Sequence, residues 1–118
     1  MRMNSSGIRQ GELVVADILF AEQVGAKRRL ALVISNNKFN EKSQDIVVLK
    51  VTSHGSDTAF DVKLTNAHTE NKTLKKESTI MVDFPVVIMK ERILARPDKI
   101  STEKLGEVKG KIRELYNL

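Results

Sequence analysis

Apolar positions along this chain fall in short runs of four to eight, each closed by glycine, asparagine, serine or proline, which is the rhythm of a small β protein. Leu13, Val14, Val15 and Ile18 predict a first strand over residues 12–19. A loop over residues 20–26 follows, where Gly25 permits a positive φ. Residues 29–34 predict a second strand, with asparagine turn chemistry at Asn36 and Asn37 and a polar connection through Gln44. Residues 46–51 predict a third. After a turn at residues 54–57, Phe60, Val62 and Leu64 alternate with Asp61 and Lys63, the period of two expected of a half-buried strand. Residues 66–77 read as a polar, basic loop.

Beyond that loop the pattern weakens. Residues 78–82 and 86–89 are two short apolar runs with Pro85 between them, read as a break or an edge because proline cannot donate to a ladder. A basic stretch with Lys90, Arg92 and Arg96 then ends at Pro97. Ser101, Thr102 and Glu103 supply an N-cap and an acidic first turn. Leu105, Val108, Ile112 and Leu115 then recur on one face, predicting a single amphipathic C-terminal helix whose apolar side is core or dimer packing. Gly106 and Gly110 are expected to mark close packing of that helix, since each otherwise costs about 1 kcal/mol relative to alanine. The sum is a mainly β fold with a C-terminal helix: a small barrel or curled sheet with the helix over one end.

Residues 1–9, polar around Asn4, Ser5 and Ser6, are expected as a flexible N-terminal segment, and residues 10–118 as a single domain. The 41% apolar and 30% charged composition predicts folding rather than disorder. With no cysteine and two histidines, disulfides and thiolate metal sites are excluded, and neither metal nor cofactor is expected. No apolar run approaches the roughly 20 residues that span a bilayer. The first ten residues lack the apolar core of a signal peptide, so a cytoplasmic protein without a membrane partner is expected.

The net charge of +5 favours an anionic partner. With no Trp and one Tyr, stacking platforms are scarce, so nucleic-acid recognition would rest on charge and hydrogen bonds. The chemistry concentrates at two strand ends. Lys27, Arg28 and Arg29 run directly into the second strand, and Thr52 and Ser53 close the third. Cations and hydroxyls held on rigid elements make a candidate phosphate site, because the strand has already lost the entropy that positioning would require. Lys72, Lys75, Lys76 and the cations of residues 90–96 read most simply as solvated faces, or as an extension of an anion-binding surface.

In this order the motifs resemble the MazF/PemK family of endoribonuclease toxins from toxin-antitoxin pairs. Gly11-Glu12-Leu13-Val14 with Asp17 is similar to that family's opening strand. Glu22-Gln23 before Gly25 resembles its Ser-Glu-Gln-Gly-Gly loop, and Arg29-Leu30-Ala31-Leu32-Val33-Ile34-Ser35 its Arg-Pro-Ala-Leu-Val-Ile-Ser strand. Val51-Thr52-Ser53 matches Ile/Val-Thr-Ser, and Ser78-Thr79-Ile80-Met81-Val82-Asp83 resembles Ser-x-Val/Ile-x-x-Asp. Two positions and one segment depart: Leu30 replaces the proline after the arginine, Phe84 replaces a glutamine, and residues 23–28 lengthen the glycine-rich loop.

The resemblance implies an SH3-like barrel of the MazF/PemK/CcdB kind, a homodimer that cuts single-stranded RNA selectively and is restrained by a cognate antitoxin. It makes Arg29 and Thr52 the catalytic pair and Lys27, Arg28 and Ser53 the RNA contacts. For the general acid or base, Glu22 and His54 are the candidates, His54 having the better-matched ordinary pKa of about 6.5. An arginine guanidinium keeps its proton at any ordinary pH, so for Arg29 transition-state charge stabilisation is a better role than proton abstraction. A second reading, a non-catalytic barrel that binds a protein target as gyrase poisons do, or nucleic acid, stands beside it, since fold alone decides nothing about chemistry. A third is a degenerate member that retains only binding.

Overall fold

The computed structural model describes residues 7–19, 27–53 and 58–118. Six strands, β1 (Glu12–Ile18), β2 (Lys27–Val33), β3 (Asp45–Thr52), β4 (Asp61–Leu64), β5 (Ser78–Met89) and β6 (Ile93–Lys99), form one sheet in the order β4-β5-β3-β2-β1-β6. Every pairing is antiparallel. Helix α1 (Asn37–Lys42) lies between β2 and β3, and α2 (Thr102–Tyr116) ends the chain. The end strands β4 and β6 do not pair. The chain beyond them does: Thr69 bridges Ile100, and Ser101 N donates to His68 O at 2.8 Å. The sheet is thus curled almost to closure, a barrel-like form.

Both faces of the sheet are buried along much of its length, and alternate residues of β1, β2 and β3 go to different cores. Val14, Ala16, Ala31, Val33, Ile46 and Val48 fill one; Leu13, Leu32, Leu49, Val62, Leu64 and Ile80 fill the other, together with Val108 of α2. Burial on two sides is why β2 and β3 read as continuous apolar runs, while β4, whose Asp61 and Lys63 face outward, alternates. The predicted side of α2 is the packed one: Leu105, Ile112 and Leu115 join Val108 in the second core. Ser101 Oγ caps the helix by accepting from Lys104 N at 3.1 Å.

Several expectations are corrected. The connection before β3 is not merely a turn: the side chain of Asn36 accepts from Phe39 N at 2.8 Å and starts α1, so the C-terminal helix is not alone. Lys90 Nζ donates to Asn40 O at 2.6 Å and helps close that short helix. The two runs around Pro85 are a single 12-residue strand. The register jumps from Leu49↔Pro85 to Lys50↔Met81, so residues 82–84 form a bulge. Proline is tolerated beside it because β4 pairs only with Ser78 to Met81, leaving no ladder partner on the far side of Pro85 among the described residues.

Pro97 likewise lies inside a strand rather than beyond one. It belongs to β6, whose outer side is a sheet edge. Gly106 and Gly110 mark no close packing: a β-carbon at either would meet nothing within 4 Å. The long loop between β4 and β5 is tied down by Asp98. Its carboxylate accepts from Asn71 N at 2.8 Å, Thr73 N at 3.0 Å, Thr73 Oγ1 at 2.8 Å and Lys99 N at 2.9 Å. Burial by itself would raise the Asp98 pKa, but these four donors outweigh it and hold the group below its ordinary value.

Candidate functional site

Antiparallel register gathers the polar side chains that sequence reading met one at a time. Ala16 pairs with Arg29 across β1 and β2. The β2–β3 ladder runs from Val33↔Val48 to Ala31↔Lys50 and ends there; extending its register by two residues brings Arg29 of β2 level with Thr52 of β3. Thr52 pairs with Thr79 of β5, and Thr79 with Lys63 of β4. One row therefore crosses the sheet as Ala16, Arg29, Thr52, Thr79 and Lys63, all on one face, because directly opposed residues share a face. The neighbouring row on that face is Val14, Ala31, Lys50, Met81 and Asp61.

Burial grades along the first row. Ala16 is buried; Arg29, Thr52 and Thr79 are half-buried; Lys63 is exposed. The row thus emerges from the core as a shelf of two hydroxyls and two cations. The Nε of Arg29 is shut from solvent and has no hydrogen-bond partner among the described residues. Buried donors are nearly always satisfied, and leaving one unmade costs about 1–3 kcal/mol, so this nitrogen is an exception within the row. Arg29 and Lys63 make no ion pair among the described residues. Lys50 Nζ stands 4.7 Å from the centroid of Phe84, a ring that the β5 bulge carries against the first core.

Of the sequence-predicted residues, Arg29 and Thr52 lie on adjacent strands, two residues beyond the last β2–β3 ladder pair, Ala31↔Lys50. Lys27 begins β2 on the same side as Arg29, and alternation turns Arg28 to the other side, opposite Asp17. Ser53 is exposed just past the end of β3. Glu22 and His54 lie outside the described residues. Thr79, Lys63 and Lys50 were not singled out: the alternation around Asp61 and Lys63 was legible, but which strands lie side by side is a matter of topology. Among the described residues, no three His, Asp or Glu side chains gather as a metal site, and no helix is long and apolar enough to cross a membrane.

The roomiest described cleft, of about 530 Å³, lies elsewhere, between the C-terminal half of α2 and the opposite face of the sheet. Ile34, Val47, Leu49, Pro85 and Ile112 line it, with Lys109 and Arg113 on the helix side. Neither Arg29 nor Thr52 lines it. A mainly apolar cleft suits packing better than phosphate chemistry, whereas an open shelf with an unpaired guanidinium can neutralise an anion and present a planar fork to two of its oxygens.

Comparison with known proteins adds an independent line. The sequence model of the family described as PemK-like, MazF-like toxin of type II toxin-antitoxin system matches residues 9–116. No curated protein sequence matches the chain. Among solved structures, an endoribonuclease from a mycobacterial species superposes with a TM-score of 0.74 at 14% identity, covering 98% of this chain and 95% of that one. A mycobacterial endoribonuclease in complex with its cognate antitoxin gives 0.75 at 13% identity, with coverage of 94% and 96%. MazF from Deinococcus radiodurans gives 0.71 at 24% identity, with coverage of 94% and 97%. At these identities the structural likeness concerns the fold.

Proposed function

The chain belongs to the PemK-like, MazF-like toxins of type II toxin-antitoxin systems, and on that premise we propose that it is a sequence-selective endoribonuclease that cuts single-stranded RNA without a metal ion. The observation that supports the reading is the β2–β3 register, which, extended two residues past Ala31↔Lys50, brings Arg29 level with Thr52 on one face, where the Arg29 Nε has no hydrogen-bond partner among the described residues. The solved mycobacterial endoribonucleases of the same fold support it.

RNA supplies its own nucleophile. The 2′-oxygen attacks the adjoining phosphorus and gives up its proton to a base, and the bond to the 5′-oxygen breaks. The products are a 2′,3′-cyclic phosphate and a 5′-hydroxyl. The protein must accept one proton, supply another to the leaving oxygen, and stabilise charge on the non-bridging oxygens. Arg29 is assigned the charge stabilisation, with proton donation to the leaving oxygen as its second task. Thr52 donates its hydroxyl to a non-bridging oxygen. The base is Glu22 or His54. Lys27 and Ser53 are assigned contacts to the RNA backbone; Arg28, on the other side of β2, would reach only RNA that passes round the end of that strand.

The protein is further proposed to act in the cytoplasm as a homodimer and to be restrained by a cognate antitoxin; a mycobacterial neighbour was solved with its antitoxin. Val87, 63% exposed, and Met89 stand beside Val47 and Asp45 on the β3–β5 face, an apolar strip suited to a second copy. The test is cleavage of a long single-stranded RNA in EDTA beside Arg29→Ala, with fragment ends mapped. Discrete cuts that survive EDTA, leave 5′-hydroxyl ends and vanish with Arg29 are expected. A folded, antitoxin-free protein that leaves RNA intact would refute the reading.

A further inference from the structure

The proposed chemistry uses Arg29 and Thr52 but leaves the outer half of their row unexplained. We infer that Thr79 and Lys63 hold a second phosphate, downstream or upstream of the scissile one, so that the RNA lies across the strands along the row Arg29–Thr52–Thr79–Lys63. This rests on the ribonuclease reading and adds to it the path of the substrate.

Three observations carry it. The register is continuous: Thr52↔Thr79 and Thr79↔Lys63 are direct cross-strand pairs, so the side chains rise from one face with no intervening strand. Lys63 is exposed and makes no ion pair among the described residues, although its strand neighbours Val62 and Leu64 are fully buried. Its backbone is therefore fixed by packing while its charge stays uncommitted, the combination that makes a lysine useful as a phosphate contact. The carboxylate nearest in sequence on that face, Asp61, is turned into its own loop, accepting from Thr58 N at 3.2 Å and Thr58 Oγ1 at 3.1 Å.

Distance sets the scale. Three strand spacings separate Arg29 from Lys63, about 14 Å. Phosphates on one stacked strand follow every ~3.4 Å along the axis, and further apart when bases are splayed, so the shelf reaches about two to four nucleotides past the cut. Lys75 and Lys76, also exposed, lie on the loop before β5 and lack this cross-strand register.

The experiment uses a short oligoribonucleotide with one mapped cleavage site, the wild-type protein, Lys63→Ala and Lys63→Arg, at several salt concentrations. Lys63→Ala is expected to raise KM about 5- to 10-fold while changing kcat less than about 2-fold, with Lys63→Arg close to wild type. The slope of log(kcat/KM) against log[salt] should become shallower by about 0.7. Trimming the oligonucleotide from one end should raise the wild-type KM and erase its advantage over Lys63→Ala. A Lys63→Ala protein with wild-type KM and salt slope, or one whose defect persists undiminished on every trimmed substrate, overturns the inference. Wild-type cleavage in the same series separates the two failures: its absence strikes the ribonuclease reading itself, and its presence with an unaffected Lys63→Ala strikes only the path.

Discussion

The ammonium of Lys50 rests 4.7 Å from the centre of the Phe84 ring. Neither residue reaches the other through simple pairing, because the register puts Met81 opposite Lys50. The bulge at residues 82–84 re-aims the ring so that it packs on the first core and lies under the cation. A double-mutant cycle with Lys50→Met and Phe84→Leu should return a coupling of about 0.5–1 kcal/mol in urea unfolding. A coupling near zero would mean that the ring serves the core alone.

Arg29 and Thr52 should differ in how much each substitution removes. Arg29→Lys keeps the charge but loses the planar fork, and single-turnover cleavage should fall about 100-fold or more. Thr52→Val keeps the β-branched shape that suits the end of β3 while deleting one donor; its loss should be about 10- to 100-fold with an unchanged melting temperature. Equal cleavage by Thr52→Val and wild type would remove Thr52 from the chemistry.

Asp98, 3% exposed, carries a pH signature. Its folded pKa lies below the ordinary carboxylate value because four donors favour the ionised form over the opposing effect of burial. A depressed folded pKa contributes stability above the unfolded value, near pH 3.9, and loses it as pH falls through the folded value. Asp98→Asn should therefore unfold more easily than wild type at pH 7, by about 2 kcal/mol, with the gap shrinking below about pH 4. A gap that stays constant from pH 7 to pH 3 would assign the loss to packing instead.

Much of this architecture was readable from residue order, and the failures have physical causes. β1 to β4 and α2 announce themselves through apolar runs, a period of two, or a period of 3.6. β6 does not, because Arg96, Pro97 and Asp98 replace an apolar pattern: Arg96 is held by Glu12 at 2.8 Å and Asp98 by the β4–β5 loop. α1 is too short and polar to show a face. At the site, Arg29 and Thr52 stood out because each adjoins the end of a predicted apolar run, although β2 begins two residues before Arg29, at Lys27. Thr79 and Lys63 did not, since a cross-strand neighbour is defined by topology and not by spacing.

Glycine shows the same contrast between local and tertiary demand, and it yields the last prediction. Gly106 and Gly110 sit within α2 with open space where a β-carbon would go, so alanine at each should stabilise the protein by about 0.5–1 kcal/mol through the helix propensity of alanine and a less flexible unfolded chain. Gly11 is the opposite case. Its φ of +96° is a conformation that L side chains rarely adopt, and a β-carbon there would come within 3.4 Å of Leu105 Cδ2. Its backbone is committed on both sides, donating to Val33 O at 2.8 Å and accepting from Ile100 N at 2.9 Å, so it cannot relax without breaking the junction of β1, β2 and α2. Gly11→Ala should lower stability by about 1–3 kcal/mol in the same unfolding assay. If all three alanines shift stability in one direction, backbone conformation is not what distinguishes these glycines.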